Sequence, residues 1–225
     1  MTFSIVGHCT RTNMVGVAIT TSSICVASRC PWVRAGVGAV ATQNVTDPSL
    51  GPLILDYIEQ GFDAQDALDK VIAERQHIEY RQLTVVDTHG DLAHHTGTEI
   101  LGINKVVEGA SCVAAGNLLS STEVPRAMAE QFEAGADLHL AERLLLALKA
   151  GVDAGGEQGP THSSGLKIAD KNSWPLVDLR IDWSDGEPVS ELIDLWKAYE
   201  PEMDAYTTRA IDPSKAPSYG VPGDL

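Results

Sequence analysis

The chain has 225 residues, long enough to bury a substantial apolar core without disulfide or metal staples. Its 31 acidic residues against 16 basic ones give a formal charge of -15, which argues against binding a phosphate backbone or an acidic membrane surface. No window approaches the roughly 18 uninterrupted apolar residues of a membrane span. The opening MTFSIVGHC has neither a basic leader nor a long apolar run, so the expected compartment is the cytoplasm. Cys9, Cys25, Cys30 and Cys112 form no CxxC pair. They read as buried reduced thiols, and neither a metal nor a cofactor is expected.

Three runs of small or β-branched residues, at 3–6, 15–20 and 37–42, read as strands. Gly16, Ala18, Gly36, Gly38, Ala39 and Ala41 leave room for close approach by a ligand or by another packed element. A helix pair follows. Leu53, Ile54, Tyr57 and Ile58 recur at helical spacing up to Gly61, and Asp63 caps a second helix carrying Ala64, Ala67, Leu68, Val71 and Ile72.

Strands return at 82–86 and 91–96 around the Asp87-Thr88-His89-Gly90 turn, and again at 111–115. A second helix pair carries Val124, Met128 and Phe132, then Leu140, Leu144, Leu145 and Leu148. Pro125 suits a first turn, which favours Thr122 over Ser120 as its cap. Beyond a glycine-rich loop at 155–161 the pattern predicts strands at 164–169 and 176–183 and a helix over 189–199. Pro201, Pro213, Pro217 and Pro222 punctuate a tail that lacks periodicity.

Strands, helix pair, strands, helix pair, strands is not the order of a doubly wound parallel sheet. It predicts an α+β fold, a four-layer αββα sandwich with two mostly antiparallel sheets between helix pairs. One domain spans 1–200, followed by a Pro-rich tail at 201–225.

That order, with a strand starting just after Met1, resembles the N-terminal-nucleophile (Ntn) hydrolase superfamily. More closely, the chain resembles a bacterial family without an assigned activity, domain-of-unknown-function family 1028. The residues that carry this are TFSIVG at 2–7, GVAITTSS at 16–23, PWVRAGVGAVATQ at 31–43, VVDTHGDLAHHTG at 85–97 and AAGNLLSSTEVPRAM at 114–128. The chain departs from the family pattern at His162, which stands where the pattern has glutamine, so no role is carried over to that loop.

The resemblance implies an amidohydrolase cleaving a small amide or related C–N bond. Thr2 would be its nucleophile, and its own α-amine the base once Met1 is removed. While Met1 is attached, that nitrogen is an amide and cannot serve. Asn117, at the apparent end of a strand, is the expected oxyanion donor, or else a turn residue. Arg34 is expected to depress the amine pKa or grip a substrate carboxylate, with a plain ion pair as the alternative.

Ser22 and Ser23 resemble a polar pair that orients the nucleophile; otherwise they are loop serines. Thr42, Gln43, Asn44 and His95 are candidates to line a polar substrate site. His94 and His95, as neighbours on a strand, point to opposite faces and do not predict a shared metal ion. The expected partners are a small polar substrate and further copies of the chain in a homo-oligomer. The alternative is a catalytically silent ligand-binding or assembly protein on the same fold.

Overall fold

A computed structural model of the chain describes residues 1–221. Among the described residues ten strands are formed: β1 Thr2–His8, β2 Val15–Thr21, β3 Pro31–Arg34, β4 Gly38–Asn44, β5 Arg81–Asp87, β6 Leu92–Thr96, β7 Lys105–Gly109, β8 Cys112–Asn117, β9 Ser163–Ala169 and β10 Val177–Ile181. Five α-helices accompany them: α1 Leu50–Glu59, α2 Ala64–Glu74, α3 Glu123–Ala134, α4 Leu140–Asp153 and α5 Pro188–Ile211. One sheet has six strands in the order β10-β9-β2-β1-β8-β7, and the other four, β3-β4-β5-β6. Every pairing is antiparallel. The expected α+β class with two antiparallel sheets is therefore what the chain forms.

Three apolar clusters explain how the elements hold together. Phe3, Ile5, Ala114 and Leu166 of the six-stranded sheet bury against Met128, Phe132, Leu144 and Leu148 of α3 and α4 and against Leu192 and Trp196 of α5. Val40, Leu83 and Val85 of the four-stranded sheet bury against Ile54, Leu55, Leu68 and Val71 of α1 and α2. Val6, Val15, Val17 and Val113 of one sheet meet Ala39, Ala41 and Val86 of the other. Asp63 caps α2 as its sequence predicts, accepting from the Asp66 backbone at 2.8 Å.

The structure departs from the sequence reading in four places. Strands β3 and β7 are too short and too mixed in polarity to show a clear alternation. Thr122 occupies the cap position of α3 but its hydroxyl makes no capping bond; Ser121 accepts from the Glu123 backbone instead, at 3.3 Å. Helix α5 does not stop near 199 but passes through Pro201 to Ile211. Tyr199 and Met203, on either side of that proline, both pack on the core, and the Tyr199 hydroxyl bonds the Leu176 carbonyl at 2.9 Å. Such packing offsets the roughly 3 kcal/mol that an interior proline costs. Of the predicted tail, residues 222–225, with Pro222, lie outside the described residues.

The small residues of the first strands serve packing. A Cβ on Gly16 would stand 2.4 Å from Ile168 Cδ1 and 2.8 Å from Leu144 Cδ1. Gly16→Val is expected to cost about 1–3 kcal/mol through overpacking. A thermal melt unchanged from the parent protein would contradict this packing.

Candidate active site

All seven residues of β1 are buried, so its alternation divides two environments rather than core from solvent. Phe3 and Ile5 point to the helices, while Val6 points to the facing sheet. Thr2 and Ser4 share the face of Val6. At that end of the inter-sheet layer the side chains turn from apolar to polar. Thr2 pairs with Thr21 on one side and with Asn117 on the other, and Thr21 pairs with Ser163. Directly paired residues share a face, so these four stand in a row across four strands.

The hydroxyls of Thr2 and Thr21 are 3.0 Å apart, and both donate to the carbonyl oxygen of Met1, Thr2 at 2.6 Å. Behind them a buried chain of hydrogen bonds crosses between the sheets. Ser4 donates to Gln43 Oε1 at 2.7 Å, and Gln43 Nε2 to Gln82 Oε1 at 2.8 Å. Gln82 Nε2 reaches the Gly116 carbonyl at 3.3 Å, and Asn117 Nδ2 donates to Gln82 Oε1 at 3.3 Å. Asn117 Oδ1, fully buried, has no partner among the described residues. Because an amide nitrogen carries two hydrogens, Asn117 can donate to Gln82 and to one further acceptor.

Glu157 is near enough to Met1 for the amino-terminal charge to act on it. It lies in the glycine-rich loop after α4, where Gly155 and Gly156 take φ values of 110° and 54° that side chains rarely adopt. A single bridge to Leu119 ties it beside the end of β8. The residue is 6% exposed, and neither carboxylate oxygen has a full hydrogen bond among the described residues. Burial pushes its pKa up to about 8, against the opposing pull of the amino-terminal charge and of nearby Ser22. With Phe3, Gly159 and Thr161, Glu157 lines a cavity of about 220 Å³.

Of the residues singled out in the sequence, Thr2, Asn117 and Gln43 come together in this region. Ser22 lies beside Glu157. Ser23 is exposed, but its backbone N–H approaches Thr21 Oγ1 at 3.4 Å and its carbonyl accepts from Ser163 at 2.6 Å, so it anchors the loop after β2.

The others do not join. Thr42 and Asn44 flank Gln43 and so face away from Thr2. Thr42 bonds the Asp47 carbonyl at 3.3 Å, and Asn44 the Tyr80 carbonyl at 2.8 Å, which are turn roles. His95 pairs with Leu83 on the helix-covered face and meets the Ile78 carbonyl at 3.2 Å. Arg34 ends β3 at the opposite pole, where it pairs with Asp56 at 2.7 Å and Glu59 at 2.9 Å. It lines a 460 Å³ cleft together with Ala169, whose register partner Val15 stands opposite His8. Six residues of extended strand put that pole roughly 20 Å from Thr2. The expected contact of Arg34 with the Thr2 amine is therefore not made.

The family model described as "Family of unknown function (DUF1028)" matches residues 2–192. The chain belongs to that family. Among solved structures it is similar to protein SPO2555 from Silicibacter pomeroyi, itself assigned to DUF1028, with 33% identity, 88% of each chain covered and a TM-score of 0.81. Anbu (ancestral beta-subunit) from Yersinia bercovieri is 11% identical over 91% of this chain and 97% of its own, with a TM-score of 0.39, too low to carry an argument. Among curated proteins none matches. No helix among the described residues of this DUF1028 chain is long and apolar enough to cross a membrane.

Thr21, Ser4, Gln82 and Glu157 are the parts of the site that sequence reasoning missed. Thr21 was the most accessible of them. Strands running back to back from His8 and Val15 keep a constant residue sum of 23, which sets 21 opposite 2. Glu157 carries no comparable signal, because an acidic residue between glycines reads as a solvated loop.

The raised pKa of Glu157 fixes the sign of a pH effect. Between its ordinary value of 4.5 and about 8, the unfolded chain releases a proton that the folded DUF1028 chain retains. Stability therefore falls as pH rises through that window. Glu157→Gln removes the penalty: its melting temperature is expected to match the parent's near pH 4 and to exceed it by several degrees above pH 8. Parallel curves across the whole range would contradict the buried, unpaired carboxyl.

Proposed function

We propose that this DUF1028 chain is an Ntn-type amidohydrolase with a four-layer αββα arrangement, cleaving a small amide through Thr2 once Met1 has been removed. One observation carries the reading: the hydroxyls of Thr2 and Thr21 converge on a single oxygen, the Met1 carbonyl, which leaves with Met1. Processing then frees two buried hydroxyls and creates an amine on the same residue as one of them. The three stacked apolar clusters support the layered arrangement.

In the proposed reaction Thr2 Oγ1 attacks the amide carbon and its proton passes to the Thr2 α-amine. The 3.0 Å contact from Thr21 orients the attacking oxygen. In this reading the second N–H of Asn117, the strand partner of Thr2, donates to the developing oxyanion. The Thr2 ammonium then protonates the leaving nitrogen, the C–N bond breaks, and an ester on Thr2 remains. Water, deprotonated by the same amine, hydrolyses that ester to the carboxylic acid and restores the hydroxyl. The Ser4–Gln43–Gln82 chain positions Asn117 from behind.

With Met1 in place, the same geometry describes a silent protein, since the Thr2 nitrogen is an amide and both hydroxyls are satisfied. Intact mass of the untagged chain separates the two states. On the processed form an electrophilic threonine trap is expected to add once, at Thr2, and not to add to Thr2→Ala. Absence of an adduct, or its persistence in Thr2→Ala, overturns the assignment. Thr21→Val keeps the shape and loses the orienting hydroxyl; it is expected to slow trapping by about tenfold or more. Trapping at the parent rate would remove Thr21 from the mechanism.

A further inference from the structure

Met1 is held at two points, its carbonyl and its side chain, and its charge reaches a third group. Its carbonyl oxygen takes hydrogen bonds from Thr2 and Thr21. Its side chain lies beside Gly159, with Cε 3.5 Å from where a Cβ on that residue would be. The charge of its ammonium also acts on Glu157, a residue beside the 220 Å³ cavity whose carboxyl is buried and has only Ser22 close to it, with no full hydrogen bond among the described residues. Met1 is thus an aminoacyl group, bound in cis, whose carbonyl carbon is one N-to-O acyl shift away from Thr2 Oγ1, the hydroxyl proton passing to the nitrogen. Moved from the nitrogen to the oxygen of Thr2, it would be the ester that an amino-acid amide leaves on the enzyme.

Loss of Met1 empties this place and withdraws its ammonium from Glu157. A carboxyl 6% exposed with Met1 in place is costly to ionise without a cation; no Lys or Arg lines the adjoining cavity, and the Thr2 amine, which must be neutral to act as base, cannot supply the charge. The geometry points to a substrate that brings the cation itself: the site binds α-aminoacyl amides carrying a free primary ammonium, which Glu157 holds while the side chain fills the space left by Met1. Resting on the Thr2 reading, this names its substrate class. The net reaction is amino-acid amide plus water giving amino acid plus ammonia or an amine.

The test separates recognition from chemistry. In processed Thr2→Ala, which cannot form the ester, the affinities of L-methioninamide and N-acetyl-L-methioninamide are compared by calorimetry. The two ligands share a side chain and a carboxamide but differ in the charge. The free amine is expected to bind at least about tenfold more tightly, and Thr2→Ala/Glu157→Gln to lose that preference. Equal affinities, tighter binding of the acetylated ligand, or no binding of either at millimolar concentration overturns the proposal. So does a preference that survives in the Glu157→Gln variant. The comparison of two ligands on one protein stands even if the Glu157 variant folds poorly. Trap labelling of Thr2 is read separately, so labelling without amine preference refutes the substrate class alone, and amine preference without labelling refutes the nucleophile alone.

Discussion

The site depends on the two-residue period of β1 operating where both faces of the strand are covered. Because Thr2 through His8 are all buried, alternation cannot sort apolar from polar side chains between core and water. It sorts them between two interiors. Phe3 and Ile5 need apolar surface and receive it from α3 and α4, whereas Thr2 and Ser4 need hydrogen bonds and can find them only from the facing sheet or from β2 and β8. A one-residue slip of β1 would bury two hydroxyls among Phe132 and Leu144 and thrust Phe3 into the glutamine pair. The polar end of the inter-sheet layer and the register of the larger sheet therefore fix each other.

This coupling explains why buried amides are used so freely here. Gln43 and Gln82 lie on neighbouring strands of the smaller sheet, reach across to Ser4 and Gly116 of the larger one, and are almost wholly inaccessible. Unpaired, each would cost more than an apolar residue; joined in a chain, they specify how the sheets sit on one another at this end. The opposite end of the layer is held by Val6, Val15, Val113, Ala39 and Ala41, which pack well but discriminate less between alignments. Precision is concentrated beside Thr2.

Much of the fold was legible because strong periodicity and turn chemistry agree over long stretches, as at Asp63 with the apolar stripe of α2 and in the Asp87–Gly90 turn. Strand β7, with residues ranging from exposed to half-buried, offered no such pattern, and α5 defied a local rule at Pro201 because tertiary contacts outweigh it. The site was less legible. Thr2, Gln43 and Asn117 could be singled out one by one, but which of them meet depends on strand parity and sheet order. Parity separates Gln43 from Thr42 and Asn44, and sheet order carries Arg34 to the far pole. A positive charge near the start of a strand is visible in sequence; the two carboxylates on α1 that capture it are not.

The displacement of Arg34 changes the electrostatic problem that the proposed chemistry has to solve. A base at the Thr2 nitrogen must be neutral when it accepts the hydroxyl proton, and a nearby cation would have helped to keep it so. The buried group on which the amino-terminal charge acts is instead Glu157, and a carboxylate near an amine favours the protonated, useless form. Two conditions escape this conflict. Either Glu157 stays protonated, as its burial favours, or its negative charge is taken up by a cation other than the Thr2 ammonium. A ligand that carries its own ammonium supplies that cation only while it is bound. It neutralises Glu157 and, by repulsion between like charges, lowers the proton affinity of the Thr2 amine at the moment the base is needed. Substrate recognition and activation of the nucleophile would then be one electrostatic event, which an arginine fixed beside Thr2 could not make conditional on the substrate.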